Sequence, residues 1–177
     1  MSVREVYEEE LQKRGYQSDP AQRRAIEALE RCAKEWATYK SKRLGLLAKF
    51  MSRPEIPKGV YMFGGVGRGK SFLMDCFFAA VPIERKTRLH FHEFMREVHR
   101  ELAVIQGTVN PLDELGKRMA KRYQLICFDE FHVADITDAM ILHRLLVALF
   151  DNGVGFVTTS NFEPDGLYPD GLHRDRI

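Results

Sequence analysis

The segment GVYMFGGVGRGKS, residues 59–71, decides the fold of this chain. Its first part is a short apolar run typical of a buried β-strand. Its second part is rich in glycine and ends in GK followed by serine, and a helical pattern over residues 70–80 comes next. A glycine loop between a strand and a helix is the arrangement of the phosphate-binding loop. The segment therefore predicts an α/β P-loop NTPase core.

After residue 59 the chain alternates apolar runs of strand length with helical patterns. Strands are predicted over residues 60–63, within 88–94, over 123–128 and over 153–159. Helices are predicted over residues 70–80, from the end of the second strand to about residue 105, and over residues 136–150. Such alternation is typical of a parallel sheet with helices on its faces. We expect a three-layer core with a parallel sheet.

The chain divides into three segments by composition. Residues 1–40 have helical periodicity that is interrupted near residue 15, and Asp19 can cap a helix that begins at Pro20. Residues 41–58 are basic and contain prolines, which predicts a linker, and residues 59–177 are expected to form the α/β core that contains the glycine loop. The cations of residues 41–58 flank apolar side chains, so peripheral contact with an anionic membrane is one hypothesis and a solvated linker the alternative.

The overall composition is that of an ordinary globular protein. The chain has 177 residues, 45% hydrophobic and 29% charged, with a formal net charge of +2. This near-neutral charge argues against nucleic-acid binding by bulk electrostatics. No apolar run reaches the roughly 20 residues that span a bilayer. Three cysteines without a CxxC pair indicate reduced thiols, so we expect a cytoplasmic protein.

The glycine loop predicts a site for ATP. Glycines allow a tight turn whose N–H groups converge, and the following helix N-terminus adds partial positive charge. We expect the lysine to reach the β- and γ-phosphates and the serine hydroxyl to bind Mg²⁺. The residues predicted to bind the nucleotide in this loop are Gly64, Gly65, Val66, Gly67, Arg68, Gly69, Lys70 and Ser71.

Two acids follow the third predicted strand. Asp129 and Glu130 come after the apolar residues 125–128, and the carboxyl ends of parallel strands meet at one edge of a sheet. We expect Asp129 to hold Mg²⁺ and Glu130 to polarise the attacking water. The sequence contains no NKxD guanine motif, which favours an ATPase over a GTPase. A solvated acid at a strand end is the alternative.

Polar residues further along the chain complete the predicted site. Asn161, at the tip of the fourth strand, is expected to sense the γ-phosphate, with Ser160 as second candidate, although asparagine also suits a turn. Arg174, with Arg176 as second candidate, is expected to act in trans on a neighbouring subunit. That role implies a homo-oligomer when ATP is bound, whereas an arginine that only meets solvent is the alternative.

These motifs together resemble those of the AFG-type AAA+ ATPases. Besides the glycine loop, the resemblance is carried by LHFHEFM (89–95), CFDEF (127–131), DITDAM (135–140), and TSN (159–161) with Leu167 and Tyr168. It extends from about residue 19 to the last residue. The glycine loop is common to many NTPases, whereas the HFH and DITDAM segments are specific to this family.

The resemblance implies Mg²⁺-dependent ATP hydrolysis in bacterial cell division, ATP-dependent association with the tubulin-like ring protein FtsZ, and attachment to the inner face of the membrane. It also implies that Gln22, in the N-terminal segment, contacts the adenine. The resemblance implies a three-layer AAA+ core whose sheet has the strand order 5-1-4-3-2, so that the fourth strand lies between the first and the third, and it also implies a helical lid. We expect residues 59–177 to form an incomplete core of this kind, which ends before the fifth strand and the lid. The edge of the first strand would then be exposed.

Two alternative functions remain open besides the predicted ATPase. The first is a nucleotide-gated interaction protein, which would bind ATP with little or no hydrolysis. The second is a helicase-loader-like ATPase, which would act on DNA and which the near-neutral charge disfavours. His90 and His92 are expected to share one face of the second strand, near His99 on the next helix. No fourth ligand has a motif spacing, so packing in the core is favoured over a zinc site.

Overall fold

A parallel β-sheet forms the centre of the molecule. This is a computed structural model, and it describes residues 1–44, 55–64 and 69–162. The strands are β1 (Val60–Phe63), β2 (Lys86–His90), β3 (Leu125–Asp129) and β4 (Gly155–Ser160). Their order is β1-β4-β3-β2, and each neighbouring pair is parallel. The predicted parallel sheet, with the fourth strand between the first and the third, is confirmed.

Helices precede the sheet and connect its strands. The described residues form α1 (Val3–Arg14), α2 (Pro20–Leu44), α3 (Lys70–Ala80), α4 (Phe91–Val104), α5 (Pro111–Arg122) and α6 (Ile136–Asp151). None of these helices is both long and apolar enough to cross a membrane.

Two hydrophobic cores lie on opposite faces of the sheet. Leu125 and Cys127 of β3 pack in the core that α1, α2 and α3 cover, whereas Ile126 and Phe128 pack in the core that α4, α5 and α6 cover. Every residue of β3 is buried, as a central parallel strand covered on both faces requires. The expected three-layer arrangement is therefore present.

The two N-terminal helices begin and end at recognisable caps. Gly15 ends α1 in the left-handed conformation, with φ of 66°. The Gln22 N–H donates to Asp19 Oδ1 over 2.8 Å, so Asp19 caps α2 as its sequence position predicts. Helix α2 continues to Leu44, past the expected boundary at residue 40, and residues 45–54 of the predicted linker lie outside the described part.

The prediction that His90 and His92 share a strand face is wrong. Strand β2 begins at Lys86, earlier than expected, and ends at His90, while His92 lies in α4, where the two rings stack with centroids 5.6 Å apart. The physical reason is that Phe91, Phe94, Met95 and Val98 are buried together at helical spacing. This period overrides the short alternation of histidine and phenylalanine.

Three buried cysteines lie around the first core. Cys32, Cys76 and Cys127 are free thiols on α2, α3 and β3. Burial raises the pKa of Cys32 to about 12 and that of Cys76 to about 11, and it raises the pKa of Cys127 as well. Because thiolates are the reactive form, these side chains behave as apolar core residues.

Candidate functional site

A cleft of about 800 Å³ opens where the carboxyl ends of the strands meet the α1–α2 hairpin. Most of the predicted site residues that the structure describes line this cleft. They come from the start of α3, the ends of β3 and β4, and the start of α2: Gln22, Gly69, Lys70, Ser71, Glu130 and Asn161.

The start of α3 places the lysine of the glycine loop. Gly69 caps α3 with φ of 78°, a conformation that favours glycine, and the Lys70 Nζ donates to the Gly64 carbonyl oxygen over 2.9 Å. Lys70 thus connects the two described ends of the loop. Residues 65–68, which include the predicted ligands Gly65, Val66, Gly67 and Arg68, lie outside the described part.

Asp129 is buried at the end of β3 and is paired with Arg88. The Arg88 Nε lies 2.7 Å from Asp129 Oδ2 and its Nη2 lies 3.4 Å from Oδ1. The same guanidinium donates to Asp75 Oδ1 and, over 3.3 Å, to the Ser71 carbonyl oxygen. Through Arg88, the two residues predicted to hold Mg²⁺, Ser71 and Asp129, have a common neighbour.

Arg88 is a residue of the site that the sequence analysis does not predict. It lies opposite Cys127 in the β2–β3 register, so it shares a face of the sheet with Asp129, two residues further on. Burial disfavours the charge of Arg88, but hydrogen bonds to Asp129 and Asp75 outweigh burial and raise its pKa. Strand β2 neighbours β3, which ends in an acid. An arginine two residues before the end of β2 is therefore the sequence signal that could have identified Arg88.

Glu130 adopts a backbone conformation that is uncommon outside glycine. Its φ is 55°, its N–H donates to Thr159 Oγ1 over 3.2 Å, and the next N–H, of Phe131, donates to the Thr159 carbonyl oxygen over 2.8 Å. These bonds from β4 hold the turn that brings the exposed Glu130 side chain to the cleft. Its Oε2 lies 3.6 Å from His90 Nδ1.

The two candidates at the tip of β4 have different surroundings. Asn161 is exposed and lines the cleft. Ser160 is buried, donates to the Phe131 carbonyl oxygen over 2.6 Å and accepts from the Phe162 N–H over 3.1 Å. The Ser160 hydroxyl therefore stabilises the strand-end turns, and only Asn161 of the pair lines the cleft.

The α1–α2 hairpin supplies the opposite wall. The Tyr7 hydroxyl lies 2.9 Å from Gln22 Oε1, which directs the Gln22 amide nitrogen toward Gly69. A Cβ at Gly69 would lie 2.8 Å from that nitrogen, so the contact depends on glycine. Tyr16 lines the same side and meets the Phe72 ring edge-on, with ring centroids 6.2 Å apart.

The donors at the strand edge fit a magnesium ion that binds with phosphates. Mg²⁺ is usually held by one or two protein oxygen ligands together with phosphate oxygens and water. Ser71 and the Asp129 carboxylate supply such oxygens, and Arg88 shows that a cation is stable against that carboxylate. The described residues contain no group of three or more His, Cys, Asp and Glu that could hold a metal alone. Arg174 and Arg176 lie outside the described residues.

Comparisons with known proteins agree with this arrangement. The whole chain, residues 1–177, matches the family model "AFG1-like ATPase". It is 43% identical over 182 residues to Cell division protein ZapE of Escherichia coli strain K12, covering 97% of this chain and 48% of that protein. It is also 42% identical over 134 residues to Lactation elevated protein 1 homolog B of Danio rerio, covering 70% and 27%. The chain therefore spans about half the length, or less, of these relatives.

Solved structures with a similar fold include those of DnaI and DnaA. The structure of DnaI has a TM-score of 0.53 and 20% identity, covering 89% of this chain and 74% of that one. AMPPCP-bound DnaA from Aquifex aeolicus has a TM-score of 0.55 and 18% identity, covering 90% and 44%. At this level of identity they show the fold alone, and they confirm the predicted P-loop NTPase core.

Proposed function

Because the chain belongs to the AFG1-like ATPase family, we propose that its cleft binds ATP with Mg²⁺ and hydrolyses it. One observation carries the proposal. Lys70 and Ser71 at the start of α3 lie at the same cleft as Glu130, and Arg88 connects Ser71 to the buried Asp129. An anion-binding helix start and two acids at one sheet edge are what phosphoryl transfer to water requires.

Each residue of the cleft has a distinct proposed role. Lys70 neutralises phosphate charge, Ser71 and Asp129 would hold Mg²⁺, and Glu130 orients the attacking water. The metal, when bound, stabilises charge that develops on the phosphate oxygens. Asn161 is proposed to sense the γ-phosphate from the tip of β4.

Two further roles complete the proposed nucleotide cycle. The Gln22 amide, held by Tyr7, is proposed to contact the adenine from the hairpin wall. Arg174 is proposed to reach the site of a neighbouring copy, which makes the ATP-bound form a homo-oligomer.

The similarity to Cell division protein ZapE supports a proposed role in bacterial cell division. We propose that ATP binding controls association with the division ring protein FtsZ. Residues 41–58 carry a cluster of cations and are proposed to make peripheral contact with the inner face of the membrane.

Hydrolysis and binding measurements on the 177-residue chain test the nucleotide proposal. We expect Lys70→Ala to weaken binding of a fluorescent ATP analogue by about tenfold or more, because the phosphates lose a direct cationic partner. We expect Glu130→Gln to keep the affinity within about threefold and to lower hydrolysis by about a hundredfold, in the range for loss of a general base.

Glu84→Gln is the matched control for Glu130→Gln. Glu84 is exposed in the turn before β2, at the opposite end of the sheet from the cleft, so its variant should hydrolyse ATP at the parent rate. Hydrolysis by Glu130→Gln at the parent rate would contradict the assigned role. Tight ATP binding by the parent without turnover would point instead to a nucleotide-gated interaction protein.

A further inference from the structure

Arg88 contacts the Asp129 carboxylate, to which the proposed function assigns Mg²⁺, and the backbone of Ser71, whose hydroxyl is the other proposed ligand. Its guanidinium reaches both carboxylate oxygens of Asp129 and the carbonyl oxygen of Ser71. We propose that Arg88 competes with Mg²⁺ for the Asp129 carboxylate and so sets the Mg²⁺ concentration at which the cleft takes up nucleotide. This inference rests on the proposed function of the cleft.

Arg88 and a magnesium ion require the same oxygens. Asp129 Oδ2 accepts from the Arg88 Nε, and Oδ1 lies 3.4 Å from both the Arg88 Nη2 and the Thr159 Oγ1. The pair is well shielded, since the Arg88 side chain is 21% exposed and that of Asp129 is 11% exposed. A guanidinium does not lose its proton in proteins, so it repels a divalent ion that approaches the carboxylate.

Asp75 gives Arg88 a second acceptor. It lies on α3, four residues after Ser71, its side chain is 52% exposed, and its Oδ1 accepts from the Arg88 Nη1. Arg88 can therefore release Asp129 while another carboxylate still balances its charge. Transfer of Asp129 from Arg88 to Mg²⁺ then needs the movement of a side chain and leaves the strands in place.

The competing explanation is that Arg88 only orients Asp129. The two roles predict opposite effects of removing the charge. A residue that merely orients the carboxylate supports metal binding, so its loss raises the Mg²⁺ concentration that is required. A competitor opposes metal binding, so its loss lowers that concentration.

Magnesium titrations of nucleotide binding separate the two roles. The probe is a fluorescent ATP analogue, and the quantity compared is the Mg²⁺ concentration at half of the Mg²⁺-dependent signal. We expect Arg88→Met to lower this concentration by about tenfold and Arg88→Lys, which keeps the charge, to stay within about threefold of the parent. We expect Asp75→Asn to raise it by about threefold, because Arg88 then has only Asp129 to pair with.

A second experiment measures thermal unfolding with Mg²⁺ alone and so does not depend on nucleotide. In EDTA the unfolding midpoint of Arg88→Met should lie below that of the parent, because Asp129 is left buried without its counter-ion. Millimolar Mg²⁺ should raise the midpoint of this variant by more than it raises the parent midpoint.

The outcomes distinguish this inference from the proposed function. If the parent binds nucleotide, a half-saturating Mg²⁺ concentration in Arg88→Met that equals or exceeds the parent value overturns the inference. If Arg88→Met does not fold, the test rests on Asp75→Asn. A half-saturating Mg²⁺ concentration in Asp75→Asn that equals or lies below the parent value then overturns the inference. If the parent binds no nucleotide at any Mg²⁺ concentration, the proposed function fails, and equal Mg²⁺-induced midpoint shifts in parent and Arg88→Met then overturn the inference.

Discussion

Thr159 contacts both acids at the end of β3. Its hydroxyl accepts from the Glu130 N–H over 3.2 Å and lies 3.4 Å from Asp129 Oδ1. A buried side chain that bonds a backbone N–H in a left-handed turn stabilises a conformation that the chain alone disfavours. At the scale of single residues, Thr159 therefore holds the backbone of Glu130 in the turn after β3.

Thr159→Val tests this residue. Valine keeps the shape but removes the hydroxyl, and we expect the free energy of unfolding to fall by about 1–3 kcal/mol, because the Glu130 N–H loses its partner. The rate of ATP hydrolysis should fall as well, since the backbone of Glu130 is no longer fixed by the threonine hydroxyl. Urea unfolding and ATP turnover measure the two effects.

Thr158→Val is the matched control for that substitution. The neighbouring Thr158 hydroxyl is buried and makes no hydrogen bond with the described residues. Its removal should leave stability unchanged or slightly higher, because no partner is left unsatisfied. Equal losses in the two valine variants would contradict the role assigned to Thr159.

The sequence identifies the acids of this site but not the residues that hold them. Asp129 and Glu130 follow an apolar run whose length alone predicts a strand end, so their place at the cleft was predictable. Arg88 and Thr159 act across strands, and their contacts depend on the β2–β3 register and on the turn that follows β3. A register between distant segments is set by packing and is not written in any local pattern.

At the scale of secondary-structure elements, the strands and most helices follow their hydrophobic periods. Helix α5 was missed, although Pro111 at its first turn, with Asp113 and Glu114 beside it, is a typical helix start. Its buried face contains only Leu115, Gly116 and Met119. So short an apolar stripe is a weak signal, and the helix depends on its packing against α6 for stability.

Gly116 tests how closely α5 packs against α6. A Cβ at this position would lie 2.6 Å from the Ala148 Cβ of α6. Replacing glycine by alanine inside an exposed helix normally stabilises it by about 0.5–1 kcal/mol. Here we expect Gly116→Ala to lower the free energy of unfolding by about 1–3 kcal/mol, because the two helices must move apart.

The double variant Gly116→Ala with Ala148→Gly is the control for overpacking. It restores the space between the helices, so we expect it to unfold at a higher urea concentration than Gly116→Ala alone. If Gly116→Ala by itself stabilises the protein, the close approach of α5 and α6 is refuted.

At the scale of the whole molecule, the sheet separates the core that α1, α2 and α3 cover from the core that α4, α5 and α6 cover. Helices α1 and α2 cover the same face as α3 and extend to the cleft, so the N-terminal hairpin forms a wall of the site. Helical periodicity predicted both helices, but where they pack depends on contacts between α1 and α3 that no local pattern reveals. The predicted sheet order followed from the resemblance to a known family.

A crystal structure of the chain with a non-hydrolysable ATP analogue and Mg²⁺ tests the central claim most directly. We expect the phosphates within hydrogen-bond distance of Lys70 Nζ, and the metal between the Ser71 hydroxyl and the Asp129 carboxylate. A nucleotide bound away from α3, or a metal that neither Ser71 nor Asp129 approaches, would contradict it.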